Sequence, residues 1–152
     1  MAAEIFELCN TVETCYEFML AYAAQGRCGD EADKPGGQIR EFLQRAATAI
    51  AGLSGGCSKA VKQEGLRPTE TYQSFLEVLD RDARNALAAI GLVLAQRSIS
   101  SQLVDNLNAS IHLRSLLTDL FLIGEVLRAQ HGSRTIRQVD ARSEFPNRQE
   151  DL

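Results

Sequence analysis

Phe75-Leu76-Glu77-Val78-Leu79-Asp80-Arg81-Asp82-Ala83-Arg84-Asn85-Ala86-Leu87 is the stretch from which the fold can be read. Its apolar residues recur at steps of four and three, with charged residues between them. On a helix that spacing gathers Phe75, Leu79, Ala83, Ala86 and Leu87 on one side and turns Asp80, Arg81, Arg84 and Asn85 away from it. The same steps continue outward through Tyr72, Leu76, Ile90 and Val93. A heptad-like seam is therefore predicted along a helix from about 69 to 96. Glu70 suits its first turn, where the helix dipole favours an anion.

The connector Arg97-Ser98-Ile99-Ser100-Ser101 is short, so the next helix must return antiparallel. That helix is predicted over about 101–130, with Leu103, Leu107, Leu113, Leu116, Leu117, Leu120, Ile123 and Leu127 on its apolar face. Each of the two helices would be roughly 40 Å long. Toward the N-terminus, Ile5, Leu8, Cys9, Val12, Cys15, Tyr16, Met19 and Tyr22 define a helix over 3–26. Residues 29–37, with Pro35 and three glycines, read as a loop. Ile39, Phe42, Leu43, Ala46, Ala49, Ile50 and Leu53 then define a helix over 38–53, which Ser54-Gly55-Gly56 should end. Residues 57–66 suggest no more than a short helical turn.

Beyond Gly132 the chain is charged and aperiodic, and 133–152 is expected to be a flexible polar tail. The predicted organisation is an N-terminal helical hairpin (1–66), a longer hairpin (67–132) and the tail. The fold class is all-α, a helical bundle. The N-terminal helices look too short to cover the long hairpin. A homodimer is therefore expected, in which two long hairpins form a four-helix bundle. Its core would be Phe75, Leu79, Ala83, Ala86, Leu87, Ile90, Leu113, Leu117, Leu120 and Ile123.

Composition supports helix packing and excludes several functions. Of the 152 residues 45% are hydrophobic, but only 6% are aromatic and none is Trp. The core must then be built from Leu, Ala, Ile and Val. A net charge of −4 without a basic cluster argues against nucleic acid as a partner. No apolar run approaches the roughly 20 residues of a membrane helix. The acidic stretch at Glu4–Glu7 does not resemble a signal peptide, so a cytoplasmic location is expected. Cys9, Cys15, Cys28 and Cys57 have no zinc-site or CxxC spacing. Cys9 and Cys15 are expected in the core, and Cys28 and Cys57 in connectors.

The long hairpin resembles the dimerisation and phosphoacceptor hairpin of sensor histidine kinases. Phe75 matches that family's leading aromatic and Leu79 its hydrophobic position. Asp82 matches the acidic partner, and Arg84, Asn85 and Leu87 match directly. Leu116-Leu117-Thr118-Asp119-Leu120-Phe121-Leu122-Ile123-Gly124-Glu125-Val126 is similar to the family's second helix, and the likeness spans 71–130. Two departures concern chemistry. Arg81 stands where the phosphoacceptor histidine should be, and Ala86 replaces a proline. A guanidinium stays protonated and has no lone pair to offer as nucleophile. No Gly-rich phosphate loop occurs in these residues either.

What the resemblance implies is a scaffold that accepts no phosphate. It would be a non-enzymatic signalling adaptor that dimerises and presents Asp80, Arg81, Asp82, Arg84 and Asn85 to a receiver-like or kinase domain. No cofactor and no metal is expected. Asp80, Asp82 and Asp119 read as a solvated face paired with Arg81 and Arg84. His112 reads as a half-exposed helix residue, and His131 as a cation at a helix end. Gly91 and Gly124 mark either tight helix crossings or tolerated defects. The alternative is a self-contained bundle that binds a small apolar ligand or cofactor, or acts as a chaperone.

Overall fold

The computed structural model describes residues 2–30 and 37–143. It holds five helices: α1 (Ala2–Ala24), α2 (Gln38–Glu64), α3 (Thr69–Leu94), α4 (Ser101–Ala109) and α5 (Ile111–Ser143). There is no strand among the described residues, and the molecule is an all-α helical bundle. α1 packs on α2, α2 on α3, α3 on α5, and α4 back on α1. The buried apolar residues form one cluster that runs from Ile5 to Leu127, so both hairpins share a core. On α1 the predicted face is the buried one: Ile5, Cys9, Val12, Cys15, Met19 and Tyr22 all point inward.

α2 departs from the sequence expectation. It does not stop at Ser54-Gly55-Gly56 but continues to Glu64 and buries Cys57, Ala60 and Val61. Packing overrides the low helix propensity of glycine here. Gly56 faces α1, where a Cβ would make ordinary contact with Ile5 and Leu8 at 3.4 Å. The actual stop is Gly65, at φ 58°. Its N–H donates to Lys62 O and the N–H of Leu66 to Val61 O. This is a Schellman ending, and the buried Leu66 supplies its apolar contact. α2 therefore has 27 residues and α3 has 26. α2 thus matches α3 in length and packs against it from within the same chain.

The predicted helix over 101–130 is two helices. Ser110 adopts an extended conformation, φ −61° and ψ 141°. Its side-chain oxygen accepts from the N–H of Leu113 at 3.4 Å, so one residue ends α4 and caps α5. α5 then runs on to Ser143, and the first part of the expected tail is helical. The rest of that tail, and most of the expected 29–37 loop, lie outside the described residues. Neither Gly91 nor Gly124 marks a tight crossing. A Cβ on Gly91 would touch nothing within 4 Å, and one on Gly124 only the Arg128 guanidinium.

A polar clasp joins the α1–α2 and α3–α4 connections at one end of the bundle. Arg40 Nε donates to Asp30 Oδ2 at 2.7 Å. Its terminal nitrogens donate to the carbonyls of Leu94, Gln96 and Arg97 at 2.8–3.1 Å. One cation thus binds the last carbonyl of α3 and two carbonyls of the connection just after it, where the helix dipole favours a positive charge. Asp30 also accepts from the N–H of Ile99 at 2.7 Å. Tyr22 Oη donates to Ile99 O at 2.6 Å, and Ser101 Oγ donates to Tyr22 O at 2.7 Å. Burial pushes the Asp30 carboxyl up, but the donors Arg40 and Ile99 N–H outweigh it and hold the group below its ordinary value.

Removing Arg40 leaves the buried Asp30 carboxylate without its counter-charge and the Leu94 carbonyl without its side-chain donor. Arg40→Ala is expected to cost roughly 2–4 kcal/mol in chemical denaturation at pH 7. Because the folded-state value of Asp30 is depressed, its contribution is present above about pH 4 and lost as pH falls through the folded value. The variant should accordingly lose less stability than the wild type between pH 5 and pH 3.

Candidate functional site

The seam residues predicted for a dimer lie inside this single-chain core. Leu79, Ala83, Ala86, Ile90, Leu113, Leu117, Leu120 and Ile123 are buried, and Phe75 and Leu87 are partly buried against them. α1 and α2 of the same chain supply much of their packing. Of the predicted partner surface, Arg81, Arg84 and Asn85 are exposed and Asp80 and Asp82 half-buried. Asp80 pairs with Arg84 at 3.0 Å, one turn along α3. That ion pair is exposed and contributes little to stability.

Asp119 does not belong to a solvated face. It is only 6% exposed, on the side of α5 that meets α3. Asp82 faces it from α3 within hydrogen-bonding reach. Among the described residues no donor satisfies Asp119 Oδ2. The two carboxyls open on a cleft of about 400 Å³, with Ser115, Thr118, Arg114 and Ile111 around them. Burial, then the hydrogen bond and charge of Asp82, push Asp119 up to about 7. Two ionised carboxylates repel one another here, since both only accept hydrogen bonds, and this favours a proton shared between them.

Farther along the same α3–α5 seam is an apolar groove of about 360 Å³. Tyr72 and Phe75 form one wall and Leu122, Ile123 and Val126 the other, with Arg67, Pro68 and Thr71 at the start of α3. Phe121 and Leu122 beside it are 60% and 56% exposed. The exposed apolar residues then continue along α5 to Ile136 and Val139, past Leu127, the last buried residue. Sequence reasoning overlooked this face because 133–152 was assigned to a tail.

The cysteines carry no evident chemistry. Cys9 and Cys57 are buried between α1 and α2, and burial pushes their thiols up to about 11 and about 12. Cys57 is thus a core residue of α2 and not part of a connector, whereas Cys28 is exposed beyond α1 as expected. His112 is exposed on the first turn of α5. Among the described residues no three or more His, Cys, Asp or Glu side chains are grouped to hold a metal ion. No described helix is long and apolar enough to cross a membrane. No protein-family model, curated protein or solved structure matches the chain.

The Asp82–Asp119 pair has a thermodynamic signature. Between about pH 4 and about pH 7 the folded chain keeps a proton that the unfolded chain has released. Stability should fall as pH rises through that window and level off above it. Asp119→Asn should remove this slope and be more stable than the wild type at pH 8. Urea denaturation across the range, in buffer with EDTA, measures both effects.

Proposed function

We propose that this protein is a non-catalytic signalling scaffold that works as a homodimer. Each chain is a self-contained bundle in which α4 and α5 together act as the fourth rod of a four-helix arrangement. Two copies pair through α5, not through the α3 seam. The α3 surface formed by Asp80, Arg81, Asp82, Arg84 and Asn85 stays open to a protein partner. A receiver-like or kinase domain is the partner class that the histidine-kinase likeness of 75–87 suggests. Arg81, which offers no nucleophilic lone pair, makes phosphate acceptance at that position chemically unworkable.

The observation that carries this reading is the apolar stripe of α5. Leu122 and Val126 lie against the groove, and Ile136 and Val139 continue the stripe where the core has ended. Residues 129–143 of α5 extend past its last packed residues by about 22 Å. Isolated helices of about this length are marginal in water, so this arm needs a surface to lie on. Charge selects a second copy as that surface. The arm carries Arg134, Arg137 and Arg142 against Asp140, and acidic residues outnumber basic ones in the preceding bundle. A basic arm laid on the acidic body of its neighbour, reciprocated about a two-fold axis, closes the assembly at two chains.

A second reading rests on the groove itself. Its volume of about 360 Å³ falls in the range of small-molecule pockets, and its walls are nearly all apolar. Binding of a small apolar ligand would leave the chain a monomer.

Light scattering at tens of micromolar should give a dimer for the wild type and a monomer for Ile136→Glu/Val139→Glu, with helicity of the bundle retained. A monomeric wild type would overturn the dimer. A fluorescent apolar probe separates the two readings. Arm docking predicts that the probe binds better to the double variant, whose groove has been vacated. The ligand reading predicts equal binding by both proteins.

A further inference from the structure

We propose that Asp82 and Asp119 form a binding site for one hydrated divalent cation of the Mg²⁺ or Mn²⁺ type, bridging α3 and α5. The site stands apart from the dimer reading and requires only the α3–α5 packing within one chain.

Three observations converge on it. Asp119 is more than nine-tenths buried, and its Oδ2 has no hydrogen-bond donor among the described residues. Asp82, an acceptor of the same kind, approaches it from the neighbouring helix. Both line an open cleft of about 400 Å³ in which the hydroxyls of Ser115 and Thr118 are the other uncharged polar groups. The donor set is entirely oxygen, which suits a hard cation and not zinc or copper. Two carboxylates are too few to enclose Ca²⁺, which takes six to eight oxygens. Mg²⁺ is commonly held by one or two carboxylates and keeps several of its waters, for which the open cleft has room.

Charge around the site sets the competition. Arg114 also lines the cleft and is the cation that faces the pair from α5. Among the described residues it forms no ion pair with either carboxyl, and its guanidinium opposes an incoming metal ion. A proton is the other competitor for two facing carboxyls, so metal binding should weaken as pH falls. An ion held between the helices would remove the mutual repulsion of the carboxylates and tie α3 to α5 beside the Asp80–Asn85 surface.

The test uses the full chain, stripped with EDTA and titrated with Mn²⁺ by electron paramagnetic resonance. One Mn²⁺ per chain is expected, displaced by Mg²⁺. Asp119→Asn and Asp82→Asn should each weaken binding at least tenfold, while Asp80→Asn, on the same helix but paired with Arg84, should leave it unchanged. Arg114→Ala should bind as tightly as the wild type or more so. Circular dichroism confirms folding of each variant, and Asp82→Asn, at a half-exposed position, keeps the test decisive if Asp119→Asn unfolds. Wild-type protein that binds no Mn²⁺ at millimolar concentration, or Asn variants that bind it as well as the wild type, would overturn the proposal and leave a shared proton as the occupant.

Discussion

The geometry of this bundle depends on the placement of one guanidinium. Arg40 rises from the first turn of α2 and binds Asp30 behind it and, ahead of it, the carbonyls of Leu94 at the end of α3 and of Gln96 and Arg97 just beyond. Without it, the buried Asp30 carboxylate would lose its counter-charge, a costly condition. With it, the connection after α1 and the connection after α3 are locked to each other. Ser101 N–H donates to Arg27 O and the Arg27 N–H to Ser101 Oγ, so α4 starts in register with the end of α1. Ser110 then turns the chain from α4 into α5, against α3. The meeting of Asp82 with Asp119 is thus fixed from the far side of the molecule.

The parts of the fold that depend on local periodicity were legible in the sequence. The apolar faces of α1, α3 and α5, the antiparallel return at 97–101 and the all-α class all follow from spacing. The parts that depend on neighbours were not. Ser54-Gly55-Gly56 has the composition of a helix terminus, and the burial of Cys57, Ala60 and Val61 beyond it comes from tertiary packing that local composition does not encode. Ser110 lies in the middle of an unbroken leucine pattern, so its capping role was hidden by the pattern on either side. Gly65-Leu66 was the readable stop signal, but it was overshadowed by the stronger-looking glycines before it.

The candidate site shows the same division. Asp80 with Arg84 is a one-turn relation and could be read directly. Asp82 with Asp119 is a relation between helices, set by an antiparallel register that no single-helix pattern encodes. An apolar stripe at 75–87 does not say what covers it. α2, about three turns longer than expected, packs along α3 from within the same chain. The core leaves a face of α5 uncovered.

The distribution of thiols has a practical consequence. Cys9, Cys15 and Cys57 are sealed in the core, and burial raises all three thiols, which removes the thiolate that alkylating reagents attack. Cys28 is exposed, two residues from Asp30. The unaltered chain therefore has one natural attachment point for a spectroscopic label. It lies beside the Arg40 clasp, at the place where the opening of the bundle would first be felt.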